Sequence, residues 1–343
     1  MEGIRISNKE YRQRPGISSS ELKKIMITPA HYKHWKDNPQ EDTPALLFGR
    51  AAHKYILETY DFYTEFAVAP NCDRRTKEGK EIWNKFVADS EGKDVITQEQ
   101  FEQIEEMRKV MLATPFVSKL INGEHEISYF WVDEDTGLEC KCRPDSINHK
   151  LKIVVDYKTC DNAETEHFMK QAIRLGYDLQ ASYYLDGVWA NLECSCCGKK
   201  ASGYYEYNGN LYCEKCFENY LNEIVLQLYS DVFKKIKKRV EKDKYNETLC
   251  ELIELEKSKA KHFTSYIFVF IAQEKKPPYA VNILQAEDIF IRSGREVYKA
   301  MLQTYKECSE SGVWYGYMGA ENQINSLGVP KWIENMLGEE SEE

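Results

Sequence analysis

Apolar residues recur along the chain with two periods, and the changes of period mark out its elements. Ser18-Ser19-Ser20 stand before ELKKIMI, which predicts a capped helix that stops before Pro29. Pro44 falls in the first turn of a second predicted helix, ALLFGRAAHKYILE. Residues 75–89 and 97–113 carry apolar positions at helical spacing and predict two amphipathic helices, the second starting near Thr97. From Glu126 the period falls to two. EISYFWVD and LECKCRPDSI predict strands joined by a turn at Asp135-Thr136-Gly137, and LKIVVDYKT a short apolar strand. Residues 163–173 and 177–190 return to the helical period. A cysteine cluster and a long charged helical stretch then fill 191–261. TSYIFVFIAQ and YAVNILQ predict two more strands separated by Lys275-Lys276-Pro277-Pro278, and a helix over about 286–310 follows.

Helices, three strands, helices, two strands and a helix describe a mixed α/β core with an insertion. The predicted division is 1–190 for the N-terminal helices and the first part of the core, 191–261 for the inserted module, and 262–343 for the last strands, the closing helix and an acidic tail. With 42% hydrophobic and 30% charged residues, the composition fits a soluble globular protein. No apolar run approaches a membrane span, and MEGIRISNKEYRQRPG lacks the apolar segment of a signal peptide, so a cytoplasmic location is expected. In that setting the 11 cysteines are read as thiols or metal ligands rather than disulfides. The net charge of −10 argues against a sequence-independent DNA coat but leaves room for an enzyme with one basic groove. Part of that charge is the terminal run 338–343, read as a solvated tail.

Chemistry first suggests itself in CRPDSINHKLKIVVDYKTC, residues 142–160. On a strand, Val154, Asp156 and Lys158 share one face, and Ile153, Val155 and Tyr157 the other. Asp145 ends the preceding strand, and a short return through Ser146 to Lys150 brings it beside Asp156. Two readings stand. One is a salt-bridged hairpin with no chemistry. In the other, the paired carboxylates hold a hard cation, Mg²⁺ or Mn²⁺, and the lysine orients a water for phosphodiester hydrolysis.

Two helical pairs flank this constellation. Gly49 and His53 lie four apart in GRAAH, where the glycine would let another segment approach and the histidine reach a metal or phosphate. Gln180 and Tyr184 share a face in QASYY. The order G-x-x-x-H, then Asp145, then D-x-K, then Q-x-x-x-Y resembles the RecB-type branch of the PD-(D/E)xK nucleases. ISSSELKKIMITPAHYKHW, ALLFGRAAHKYILE, CRPDSI, VVDYKT, LQASYYLDG and FIAQEKKPPYAV are similar to phage and prophage RecE-like exonucleases of the exonuclease VIII type. The resemblance covers roughly 15–190 and 263–310.

That resemblance implies a PD-(D/E)xK core, a central mixed β-sheet flanked by helices. Asp145 and Asp156 would be metal ligands, His53 a further ligand, and the Tyr157 carbonyl a third group from the strand. Lys158 would position the nucleophilic water, and Gln180 and Tyr184 would brace the site or contact DNA. Glu126, in the strand before, and Glu274, in EKKPPY, are weaker candidates; for Glu274 a solvated strand end is an equal reading. Cys142 stands where many members have glycine, three residues before the first aspartate, which alters fine geometry but removes no ligand. The resemblance further implies 5′-to-3′ digestion of double-stranded DNA ends, a ring-like homo-oligomer and a single-strand annealing partner. No membrane association is expected. The alternatives are a zinc-stabilised DNA- or protein-binding module on an inactive nuclease scaffold, or a single-strand or endo-acting nuclease.

The insertion has its own signature. Cys194 and Cys197 form one C-x-x-C and Cys213 and Cys216 another, at the spacing of a closed structural Zn²⁺ site, with Asn208-Gly209 as a hairpin turn between them. Cys196 could replace a ligand or be a spare thiol. Some RecB-type relatives carry an iron–sulfur cluster, but their cysteines usually flank the core, so zinc is preferred here. YCEKCF looks like the end of a LIM or zinc-ribbon knuckle. The site would staple an insertion too small to have its own core, or contact DNA or a partner. Beyond it, Leu221, Ile224, Val225, Leu228, Val232, Ile236 and Val240 predict one helix with an apolar stripe, crowded at its far end by Lys234, Lys235, Lys237, Lys238 and Arg239. Such a charge run is either a solvated face or a guide for a phosphate backbone.

Overall fold

A computed structural model describes residues 3–39, 43–235, 242–321 and 323–329. Five strands make the central sheet, in the spatial order Val281–Gln285, Ile267–Glu274, Ile153–Cys160, Ser146–Asn148, Glu124–His125. Ile267–Glu274 and Ile153–Cys160 run parallel, and the other neighbours are antiparallel, so the sheet is mixed. The parallel pair requires a long crossover, and the chain between them supplies helices Thr165–Arg174 and Tyr177–Ala190 and then the cysteine module.

The sheet is covered on both faces, and the period-two pattern decides which residue goes where. Val154, Phe268, Phe270 and Ala272 pack with Leu22, Leu179, Tyr183 and Leu302 on one side. Val155, Tyr157 and Ile271 pack with Ala51, Ala52, Ile104 and Met107 on the other. The helix Pro44–Leu57, started by Thr43 and Pro44, and the helix Gln98–Ala113, started by a Thr97–Gln100 capping box, form that second layer. The helix Ser19–Ile27 begins with a Ser18–Glu21 capping box and lies in the first layer.

LECKCRPDSI is not one strand. It splits into Glu139–Cys142, paired with Ile127–Val132 in a separate three-stranded sheet, and Ser146–Asn148 in the central sheet. Pro144 lacks an N–H and holds its neighbour extended, so the chain leaves one sheet at Arg143 and joins the other after Asp145. The helix predicted from Leu221 onward also breaks. Glu214–Leu228 ends at Tyr229, and Ser230–Lys235 starts anew. Leu221 and Val225 are buried as the stripe requires, but Leu228 and Val232 are exposed. Ile236, Lys237, Lys238, Arg239 and Val240, like the acidic run 338–343, lie outside the described residues.

The module between Leu192 and Phe263 carries a core of its own, against expectation. Tyr207, Tyr212, Phe217 and Leu221 are buried together, with Tyr205 stacked on Phe217 at 4.6 Å and Tyr212 on Tyr220 at 4.9 Å. Aromatic area supplies what a short segment cannot gain from length. Its sheet is the hairpin Tyr204–Tyr207 and Asn210–Tyr212 with Lys261–Phe263 added at the edge. The turn residues Asn208 and Gly209 both have positive φ, 47° and 77°, as a two-residue hairpin needs.

The closing helix Asp288–Ser311 lies on the helix Tyr177–Ala190. Asp186 accepts two hydrogen bonds from Arg295, at 2.7 and 2.6 Å, and one from Tyr298. Gly294 permits the close approach, because a Cβ there would sit 2.0 Å from the Asp178 carbonyl oxygen. Gly294→Ala must push the two helices apart. It should lower stability by about 1–3 kcal/mol, read as a fall in Tm. An unchanged Tm would show that the contact is softer than its geometry.

Candidate active site

The pairing of Ser146 with Val155 fixes the centre of the site. One residue before Ser146 is Asp145, and one after Val155 is Asp156, so the register sets the two carboxyl-bearing residues opposite each other. Asp145 Oδ2 accepts the Tyr157 backbone N–H at 2.6 Å. The same oxygen is 3.3 Å from His53 Nδ1. The imidazole rests against the Tyr157 ring, centroids 4.9 Å apart, and the Tyr157 hydroxyl is tied to Gln273 Oε1 at 2.7 Å. His53 from a helix, Asp145 from the bend before Ser146–Asn148 and Tyr157 from a strand are thus brought together, through the N–H and the ring of Tyr157.

Asp156 is wholly buried. Its Oδ1 accepts Gln180 Nε2 at 2.7 Å. Its Oδ2 stands 2.5 Å from Lys158 Nζ as an ion pair but receives no aligned hydrogen bond. Gln180 is oriented in turn by Lys23, whose Nζ donates to Gln180 Oε1 at 2.7 Å. Lys23 and Lys158 both lie over the ring of Tyr177, at 4.9 and 5.0 Å.

These groups shift one another. Burial opposes the charge of Asp145, but His53, Lys158 and the Tyr157 N–H override it and hold the carboxyl below its usual range. Asp156 is pushed up, first by burial and then by Asp145, against the pull of Lys158. Burial also opposes the charge of Lys158 and of His53; the carboxylates outweigh it in both, and both are raised. Lys23 is pushed down to about 7 by burial and by the charge of Lys158. Glu126 is pushed up to about 7 by burial and by Asp145. Two carboxyls whose environments drive them in opposite directions are the arrangement expected where one carries charge and the other shares it.

The donor set fits a hard divalent cation. Asp156 Oδ2 is a buried carboxylate oxygen with no hydrogen bond, opposite a second carboxylate and beside an imidazole. Asp145, Asp156 and His53 would hold such an ion, and Lys158 Nζ would then leave Asp156 Oδ2. Glu126 lies in the bend between Glu124–His125 and Ile127–Val132 rather than in the strand, at φ 52°, and its N–H donates to the Asp145 carbonyl at 3.3 Å. Tyr184 is packed beside Phe268, its phenol pushed well up by burial and then by Tyr11, Asp156 and Asp145. Glu274 accepts the Ala163 N–H at 3.0 Å at the far end of its strand, opposite Cys160, so it holds a loop there. Gly49 does not admit a second segment: a Cβ there would meet only Thr159 Oγ1, at 3.8 Å. Gly49, His53, Glu126 and Lys158 instead line an open cleft of about 800 Å³. The bulk of Cys142 is taken up by Gly187, whose added Cβ would lie 2.8 Å from the Cys142 sulfur.

Two groups at this site are not among the candidates singled out in the sequence. Lys23 is far from Asp156 in sequence and reads as one polar position on an amphipathic helix. Arg143 was visible in CRPD, where its place just before Pro144-Asp145 was the available clue.

A second constellation lies in the module. Cys194, Cys197, Cys213 and Cys216 converge with their sulfurs within 4.8 Å of one another, and Cys197 and Cys213 are 3.9 Å apart. Tetrahedral zinc with thiolates at about 2.3 Å calls for sulfur separations of about 3.8 Å. Burial opposes a thiolate at Cys194, but backbone N–H groups of Cys213, Cys197 and Cys196 overcome it and lower the thiol to about 6. Cys196 itself is exposed and is not one of the four. The module's helices are bound to its sheet by Glu256, 1% exposed, which accepts Tyr207 Oη at 2.5 Å, Tyr229 Oη at 2.6 Å and Lys259 Nζ at 2.6 Å.

The family model for a PDDEXK-like domain of unknown function (DUF3799) matches residues 18–198, more than half of the chain. The chain belongs to this PDDEXK-like family. No curated protein matches it significantly. Among solved structures it is similar to a protein from Eubacterium rectale described as a "putative exonuclease", at 13% identity and a TM-score of 0.51, covering 97% of this chain and 98% of that one. At that identity the likeness shows the fold: a mixed sheet flanked by helices, as the sequence pattern implies. Family and fold together support a nuclease. Among the described residues no helix is long and apolar enough to cross a membrane.

Glu256 yields a pH prediction. Burial would raise its carboxyl, but the hydrogen bonds from Lys259, Tyr207 and Tyr229 lower it from 4.5 to about 2. A depressed folded pKa stabilises fully above the unfolded value and loses that stability as pH falls through the folded one. Glu256→Gln should cost about 1.5–3 kcal/mol at neutral pH. The Tm difference from the wild type should shrink below pH 4.5 and vanish near pH 2. A difference independent of pH would show that the carboxylate charge is not what binds the helices.

Proposed function

We propose that the chain is a metal-dependent deoxyribonuclease of the RecE-like type, an exonuclease that resects linear duplex DNA from its ends. The observation that carries the reading is the strand register that sets Asp145 opposite Asp156, with Lys158 Nζ 2.5 Å from Asp156, on the wall of an open cleft. Asp145, Asp156, His53 and the Tyr157 carbonyl would hold a divalent cation, Mg²⁺ or Mn²⁺, which would supply positive charge for polarising the phosphoryl group and stabilising the leaving oxygen.

The chain's own residues do the rest. Lys158, released from Asp156, is a cationic donor that holds the attacking water by an oxygen lone pair. Gln180 fixes one oxygen of Asp156, and Lys23 fixes the amide of Gln180, so the second oxygen stays aimed at the centre. The Tyr157 N–H and His53 keep Asp145 ionised. Tyr184 and Glu126 bound the site behind these ligands. Water attacks phosphorus, a P–O ester bond breaks and the proton that water gives up ends on the departing oxygen, leaving one product end with a phosphate and the other with a hydroxyl.

The polarity is taken as 5′ to 3′, leaving single-stranded tails for recombination through an annealing partner. A homo-oligomeric ring would let a chain of net charge −10 gather its cations around DNA. Arg5, Arg143, Lys158 and Lys275 are among the residues that face the cleft. The four-cysteine site is assigned to structural zinc, which would tie Cys213 and Cys216, at the start of the helix Glu214–Leu228, to Cys194 and Cys197.

End-labelled linear duplex should be degraded from one labelled end with Mg²⁺ and left intact with EDTA. Lys158→Ala and Asp156→Asn should each reduce the rate by about 10²-fold or more. Cleavage of single strands or circles with duplex ends untouched would retain the nuclease and remove the resection role. No cleavage under any metal would leave a binding module on a nuclease scaffold. Purified protein should carry about one zinc per chain by elemental analysis, and Cys213→Ser with Cys216→Ser should abolish it; iron at that stoichiometry would overturn the zinc assignment.

A further inference from the structure

Arg143 is the buried cation of the cleft that the proposed mechanism leaves unused. Its side chain is 9% exposed and faces the same space as His53, Glu126 and Lys158. The guanidinium has five N–H donors, yet its contacts are few. Nη1 reaches Glu126 Oε2 at 3.4 Å, a long contact, while Nε and Nη2 are buried without a partner. The flat face of the group lies over the Tyr11 ring at 4.1 Å. That stacking fixes the plane and leaves the edge donors free.

Backbone geometry holds this arrangement in place. Arg143 stands at the bend between two sheets and directly before Pro144, which restricts it to extended conformations. Two residues further is Asp145. A buried cation with unpartnered donors is costly, and a purely structural arginine would turn its fork onto carbonyls or carboxylates. The complement of a rigid fork of N–H groups is a pair of anionic oxygens on one centre, as in a phosphate.

We propose that Arg143 is an anion subsite that takes the non-bridging oxygens of one substrate phosphate and thereby fixes the DNA strand relative to Asp145 and Asp156. This rests on the reading of the site as a nuclease, and it assigns Arg143 to a phosphate rather than to a base. The binding is independent of sequence and specific in position, because the arginine is anchored by Tyr11 and Pro144.

The test is equilibrium binding of a short duplex in Ca²⁺ by wild type, Arg143→Met and Arg143→Lys. The phosphates near the end are replaced one at a time by uncharged methylphosphonates. Arg143→Met should bind the natural duplex about tenfold or more weakly, and Arg143→Lys, which keeps the charge without the fork, should fall between. One methylphosphonate position should weaken binding by the wild type and leave Arg143→Met unaffected. If Arg143→Met binds like the wild type, or every position weakens both proteins equally, the subsite is overturned. Should Arg143→Met not fold, the same comparison with Arg143→Lys decides. If the wild type neither binds nor cleaves duplex, the nuclease reading has failed separately. Titration with inorganic phosphate then decides the subsite: binding lost in the variant sustains it, and equal or absent binding overturns it.

Discussion

The structure around the site depends on one constraint, the burial of the Asp156 carboxylate. A charge with no solvent access must be compensated by fixed partners. Lys158 supplies the opposite charge from the same strand face, and Gln180 supplies a hydrogen bond from a helix packed over that face. Lys23 engages the carbonyl oxygen of Gln180 from another helix, which turns the amide NH₂ toward Asp156. Two helices, Ser19–Ile27 and Tyr177–Ala190, are thus committed together with the strand itself to one side chain. The remaining oxygen of Asp156, next to Asp145, is where a cation adds most.

The fold around that constraint keeps those partners in place. The parallel pairing of Ile153–Cys160 with Ile267–Glu274 puts the strand in the middle of a sheet covered on both faces, which keeps water from Asp156. Asp186 and Gly294 hold the Gln180 helix against the closing helix. The cysteine module hangs on this frame through Lys152, which pairs with Glu206 at 3.0 Å and lies over Phe263 at 4.3 Å. It has its own aromatic core and its own candidate metal site.

Much of this was legible in the sequence, for physical reasons. Alternation placed Asp156 and Lys158 on one face, and a short return placed Asp145 opposite. Polar residues at Ser18 and Thr97 marked two helix starts, because unpaired N–H groups select for short polar side chains, and Pro44 in the first turn marked a third. Four cysteines at knuckle spacing marked a closed cluster. What escaped depends on tertiary contact. The break at Pro144 was masked by the strand-forming stretches on both sides, Glu139–Cys142 and Ser146–Asn148. Glu256 lies on a helix whose local pattern is ordinary and charged, and the aromatic core of the module forms only when strand tyrosines meet Phe217 and Leu221 of another helix. Lys23 acquires its role only when its helix docks, and Arg143 only when its donors are counted.

The central claim is that Asp145 and Asp156 together bind a divalent cation. Titration of Mn²⁺ into the metal-stripped chain without DNA, followed by the loss of its free electron-paramagnetic-resonance signal, tests this most directly. The account predicts a bound ion that is lost in both Asp145→Asn and Asp156→Asn, with folding retained. Mn²⁺ binding left unchanged by either substitution would contradict it and leave the two carboxylates as a structural pair.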